Sequence, residues 1–147
     1  RQLVYQLFPN LESLLGATAW VVFTDTMEGT AQAIASHPDD LKQAIRAAEL
    51  VSLDMPVGRG DALWQLIAGS GLNSPELETI RLGIRDVILK LWVPAVRKEK
   101  NLDKAAATSL VWMVILSFWG IRQLIRDGLV SREQGIAQFD SLLDRLM

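Results

Sequence analysis

Residues 103–127 read DKAAATSLVWMVILSFWGIRQLIRD. Asp103 is a good cap for a helix N-terminus, because its carboxylate accepts from the free N–H groups of the first turn. Arg122 and Arg126 suit the C-terminal end, and Gly128 is a natural residue for a helix to stop on. Between them, Leu110 to Leu116 is apolar at seven consecutive positions. A strand would be shorter and would alternate, so the segment reads as a helix buried on every side. A membrane span needs roughly twenty apolar residues. The run from Ala105 to Ile121 falls short of that, closed by Asp103-Lys104 and Arg122, so a core helix is the expectation.

Working outward, the rest of the chain carries the same punctuation, and no useful stretch alternates with period two. Asn10 caps an apolar-periodic stretch from Leu11 to about Ala35, where Leu15, Val22, Phe23 and Met27 share a face. His37-Pro38-Asp39-Asp40 restarts the chain into a helix ending near Leu53. Met55-Pro56-Val57-Gly58-Arg59-Gly60 reads as a loop. Asp61 then caps a short helix over 62–68 that stops at Gly69-Ser70-Gly71. Ser74-Pro75-Glu76 is a strong start signal. It opens a helix with Leu77, Ile80, Ile84, Val87, Leu91 and Ala95 as its stripe, and Pro94 should kink it or end its regular part. Ser131 with Gln134 forms a capping box. Ile136, Phe139, Leu142, Leu143 and Leu146 give the last helix one apolar side. The expected fold class is all-α, a bundle of about six or seven helices.

Composition narrows the function. The chain has 147 residues, half of them hydrophobic and 22% charged, with net charge −2 and no cysteine. That supplies a core and removes disulfides, thiolate metal sites and thiol nucleophiles together. A chain without cysteine suits a reducing cytoplasm, and no secretory signal opens it. It also opens without methionine and is read as part of a longer protein. No basic stripe marks it as a free-standing nucleic-acid binder. The single histidine, His37, lies beside Pro38 and reads as structural. One histidine and no cysteine leave a transition metal short of ligands. No nucleophile elbow or phosphate loop is present. An enzyme, a metal site and a bound cofactor are therefore not expected.

Aromatic and sulfur-bearing residues stand out: Trp20, Phe23, Met27, Trp64, Trp92, Trp112, Met113, Phe118 and Trp119. Most should be core. Five tryptophans are nevertheless a heavy load, and large flat side chains line apolar pockets in helical bundles. Phe23, Met27, Trp64, Trp92 and Trp112 are the expected walls of a ligand pocket. The all-apolar helix asks for a cover that a chain this short hardly supplies, so a partner copy is expected over Leu110, Val114, Phe118 and Ile121, with Phe139 and Leu143 of the last helix sharing the interface.

The opening Leu3-Val4-Tyr5-Gln6-Leu7-Phe8-Pro9-Asn10-Leu11-Glu12-Ser13-Leu14-Leu15 resembles the junction in TetR-family bacterial regulators. There a recognition helix ends in a Tyr-x-x-Phe turn, then Pro or Gly, a small polar residue, and an acid before paired leucines. Tyr5, Phe8, Pro9, Asn10, Glu12, Leu14 and Leu15 fit that pattern. Leu7 takes the place of a frequent histidine, and Leu11 that of a frequent phosphate-touching lysine. The long apolar helix with Gly120 near its end, the Gly128-Leu129 turn and the Ser-capped final helix are also similar to the family.

The resemblance implies residues 1–10 as the end of a helix-turn-helix DNA-binding domain and 11–147 as a helical effector-binding and dimerisation domain. Arg1, Gln2, Tyr5 and Gln6 would face double-stranded DNA. The implied function is a cytoplasmic homodimeric transcriptional regulator, a repressor released by a small apolar effector. The rival reading is a helical interaction module without a ligand, in which the tryptophans only pack.

Overall fold

A computed structural model describes residues 10–68 and 74–147. It is all-α, with six helices and no strand among the described residues: α1 (Leu11–Ser36), α2 (Leu41–Leu53), α3 (Val57–Ala68), α4 (Pro75–Lys100), α5 (Lys104–Arg126) and α6 (Arg132–Leu146). Five starts are capped by side chains. Asn10, Asp40, Ser74, Asp103 and Ser131 each accept from a backbone N–H three residues on, and Ser131 with Gln134 closes a capping box. Gly128 takes the left-handed conformation after α5 (φ 71°), and Asn101 takes it after α4 (φ 50°). Such positions favour Gly and then Asn.

α1 packs on α2, α3 and α4, and α4, α5 and α6 follow as successive neighbours. The core runs through all of them, with Ile84, Val96 and Leu143 the largest side chains wholly out of water. α2 and α6 are joined by long side chains. Lys42 pairs with Asp144, Arg46 with Asp140 at 2.7 Å, and Asp54 with Arg132 at 2.7 Å. As numbers climb on α2 they fall in step on α6, so the two helices run antiparallel.

Several expectations change. α3 begins at Val57, not after Asp61, and Gly60 N–H donates to Pro56 O at 3.0 Å inside it. Asp61 is therefore an interior helical residue and caps nothing. The Arg122 guanidinium occupies the space beside Gly60 where a side chain would stand, so this glycine serves close packing and not a turn. α4 continues through Pro94 to Lys100. Its buried stripe is Leu77, Ile84, Ile88, Trp92 and Val96, while Val87 is exposed. Leu15 is exposed as well. His37 ends α1, its ring N–H donating to Ala33 O at 3.0 Å. The expected stop at Gly69-Ser70-Gly71 lies outside the described residues.

α5 keeps one apolar side uncovered. Met113 (51% exposed), Leu116 (39%) and Leu124 (38%) open onto its outer side, so the chain itself does not bury every face of this helix. By length and composition α5 is apolar enough to cross a membrane (mean hydropathy 1.5), a test that core helices also pass.

Candidate functional site

Helical spacing brings five helices to one point. α1 supplies Phe23, Thr26, Met27 and Thr30, and α2 supplies Ala48, Glu49 and Ser52. α3 adds Leu63, α4 adds Ile88 and Trp92, and α5 adds Ile115 and Trp119. Within each helix these residues are mostly three or four apart, which puts them on one face. Between them lies a cavity of about 50 Å³. Two smaller voids of about 10 and 20 Å³ also border Glu49, one toward Val96, Leu110 and Val111, the other toward Phe118, Phe139 and Asp140. By size alone the largest holds a few waters, each needing roughly 10–15 Å³.

The chemistry of the lining is uneven. Most of it is apolar or aromatic. Thr26 is satisfied, its hydroxyl donating to Val22 O at 2.7 Å. Thr30 and Ser52 are buried polar residues whose hydroxyls make no hydrogen bond among the described residues. Glu49 is half-buried and makes neither ion pair nor hydrogen bond there. Burial with no compensating partner pushes its carboxyl up to about 8. A carboxyl in such surroundings holds its proton at neutral pH, because the charged form loses its hydration and gains nothing in return. Its nearest charged neighbour along α2, Arg46, is taken by Asp140.

Trp119 is a fixed wall. Its ring stacks on Trp64 at 5.8 Å and 18°, and meets Phe118 edge-on at 5.9 Å. The Arg122 guanidinium stands 5.2 Å from its centroid. Arg122 is buried, with its Nε unpartnered, and lies 3.6 Å from Asp61, which Arg126 approaches to 2.9 Å. The cavity wall, the α3–α5 ion pair and Gly60 thus form one connected unit.

The structure brings Phe23, Met27 and Trp92 together at the cavity. Trp64 does not line it but backs Trp119. Trp112 packs against the core elsewhere. Reasoning from sequence passed over Glu49, Thr30, Ser52 and Trp119. For Glu49 and Ser52 the signal was present: with Ile45 and Ala48 they complete one helical face on α2.

Leu110, Val114, Phe118, Phe139 and Leu143 are buried within this chain, and Ile121 is half-buried against the same core. The outward apolar side of α5 is instead the stripe of Met113, Leu116 and Leu124, with Gly120 between them. Arg1, Gln2, Tyr5 and Gln6 lie outside the described residues, as does the Tyr-x-x-Phe turn.

A larger cleft of about 510 Å³ lies between α4 and α5 beside Pro94, but its charged residues Asp86, Lys90, Arg97 and Lys104 are all exposed. The cavity at Glu49, with three polar groups that have no partner among the described residues and an otherwise apolar lining, is the stronger candidate. Comparison with protein-family models, curated proteins and solved structures finds no match to this chain.

Proposed function

We propose that this chain is the sensing and pairing part of a ligand-responsive transcriptional regulator. The observation that carries the reading is the cavity: a mainly apolar space with Thr30, Glu49 and Ser52 left for an outside partner. Buried polar groups are almost always satisfied, so such a trio points to a bound molecule or ordered water. The lining includes four residues of α1, the helix that continues directly from the DNA-junction-like residues 1–10. An effector that prefers one arrangement of α1 against α2, α4 and α5 shifts the population of DNA-reading states.

The outer stripe of α5 supports pairing with a second copy. Met113, Leu116, Gly120 and Leu124 lie at helical spacing and face away from the core. The same stripe favours a second reading, an interaction module with no ligand. Intrinsic tryptophan fluorescence during a screen of small apolar compounds separates the two, since Trp92 and Trp119 line the cavity. A saturable response that Ala48→Val weakens at least tenfold supports the sensor. No saturable response from any compound supports the interaction module.

A further inference from the structure

Five helices line the cavity at Glu49, and among the described residues that line it none is a cation. α1 presents Thr26, Met27 and Thr30, α4 presents Ile88 and Trp92, and α5 presents Ile115 and Trp119. On the α6 side Asp140 is held by Arg46, and at Met147 an oxygen accepts from Lys100. Arg122, beside Trp119, is spent on Asp61. What converges on the cavity is a carboxyl group, two hydroxyls without partners, and the rings of Phe23, Trp92 and Trp119. Carboxylate, hydroxyl oxygens and aromatic faces all attract a cation, and a desolvated ammonium gains from each of them. An anionic ligand could take the two hydroxyl protons but would meet the Glu49 carboxyl and the ring faces, with no cation in the lining.

From this convergence of Glu49, Thr30, Ser52 and three aromatic rings, we propose that the cavity binds the ammonium end of a small unbranched aliphatic amine. The proposal rests on reading the cavity as the effector site, and names the effector's class. The ammonium donates to the Glu49 carboxylate and to the Thr30 and Ser52 hydroxyl oxygens. The alkyl chain lies along Phe23, Met27, Ile88 and Ile115. Since burial keeps Glu49 protonated near neutral pH, binding of a protonated amine expels that proton to the buffer. No covalent bond changes.

The test uses matched probes on the whole protein, sized to a space of a few waters: methylamine against methanol and ethylamine against ethanol, followed by tryptophan fluorescence. Each amine should bind at least tenfold tighter than the alcohol of its length. Glu49→Gln should erase that preference, the amine losing at least tenfold in affinity. Calorimetry in buffers of different ionisation enthalpy should show about one proton released per amine at pH 7 and none per alcohol, a readout that needs no variant. Equal affinity for amine and alcohol, or no proton release, overturns the amine assignment and leaves the effector cavity standing. Absence of saturable binding by either class overturns both.

Discussion

The guanidinium of Arg122 on α5 lies in the space that a side chain on Gly60 of α3 would occupy. Gly60 is helical and needs no special backbone conformation, so its role here is room. Gly60→Ala should displace a buried arginine from the Trp119 ring and from Asp61. Overpacking of this kind costs roughly 1–3 kcal/mol. Urea unfolding checks it: the midpoint should fall, against the gain that Ala normally gives over Gly within a helix.

The two arginines that meet Asp61 should differ sharply. The Arg122 side chain is 6% exposed and that of Arg126 is 40% exposed. Removing a buried side chain that packs on the Trp119 ring leaves a cavity, at about 2–5 kcal/mol, whereas an exposed pair is worth about 0–1 kcal/mol. Arg122→Ala should therefore destabilise several times more than Arg126→Ala in the same denaturation series. Comparable losses would contradict the assignment of Arg122 as the buried anchor.

Glu49 makes stability depend on pH in an unusual direction. Its carboxyl is raised from 4.5 to about 8 in the folded chain. Below 4.5 both states are protonated and there is no penalty. Between 4.5 and 8 the unfolded chain loses its proton while the folded one keeps it, so stability falls as pH rises, by at most about 5 kcal/mol. Above 8 the penalty is complete. Glu78 and Glu133 act oppositely. Arg81 holds Glu78 below the usual range, and Glu133's own backbone N–H and the Ser131 hydroxyl hold Glu133 there. Those contributions are lost only as pH falls through their lowered values. Thermal melts of wild type and Glu49→Gln across pH 5–9 should diverge, with the variant flatter and the more stable of the two at pH 8.

The outer face of α5 gives a prediction about assembly. Wild-type protein should sediment as a dimer at micromolar concentration, and Met113→Lys with Leu116→Lys should sediment as a folded monomer. Both positions are exposed, so the substitutions leave the core intact. A wild-type monomer would remove the argument for pairing.

Much of the fold is legible because local signals and tertiary packing agree. Caps at Asn10, Asp40, Asp103 and Ser131, the Ser74-Pro75 start and the Gly128 stop depend on backbone chemistry that sequence displays directly. α3 was misjudged for the converse reason. Gly58 and Gly60 read as loop residues until Arg122, far along the chain, explains why one of them must lack a side chain. The outward side of α5 was not legible because an unbroken apolar run carries no phase: Leu110 to Leu116 tells that a helix is apolar, not which side its own chain covers. The polar members of the cavity were missed because a glutamate on an amphipathic helix ordinarily faces water. Only the arrangement of α1, α4 and α5 around it shows that this one lacks a partner.

The central claim joins a sensing cavity to DNA, and the most direct measurement is selection of DNA fragments from the source genome by the natural full-length protein. The account predicts enrichment of a discrete two-fold-symmetric site, bound in preference to random DNA and released by a compound that fills the Glu49 cavity. Retention of no fragment above random DNA would contradict it.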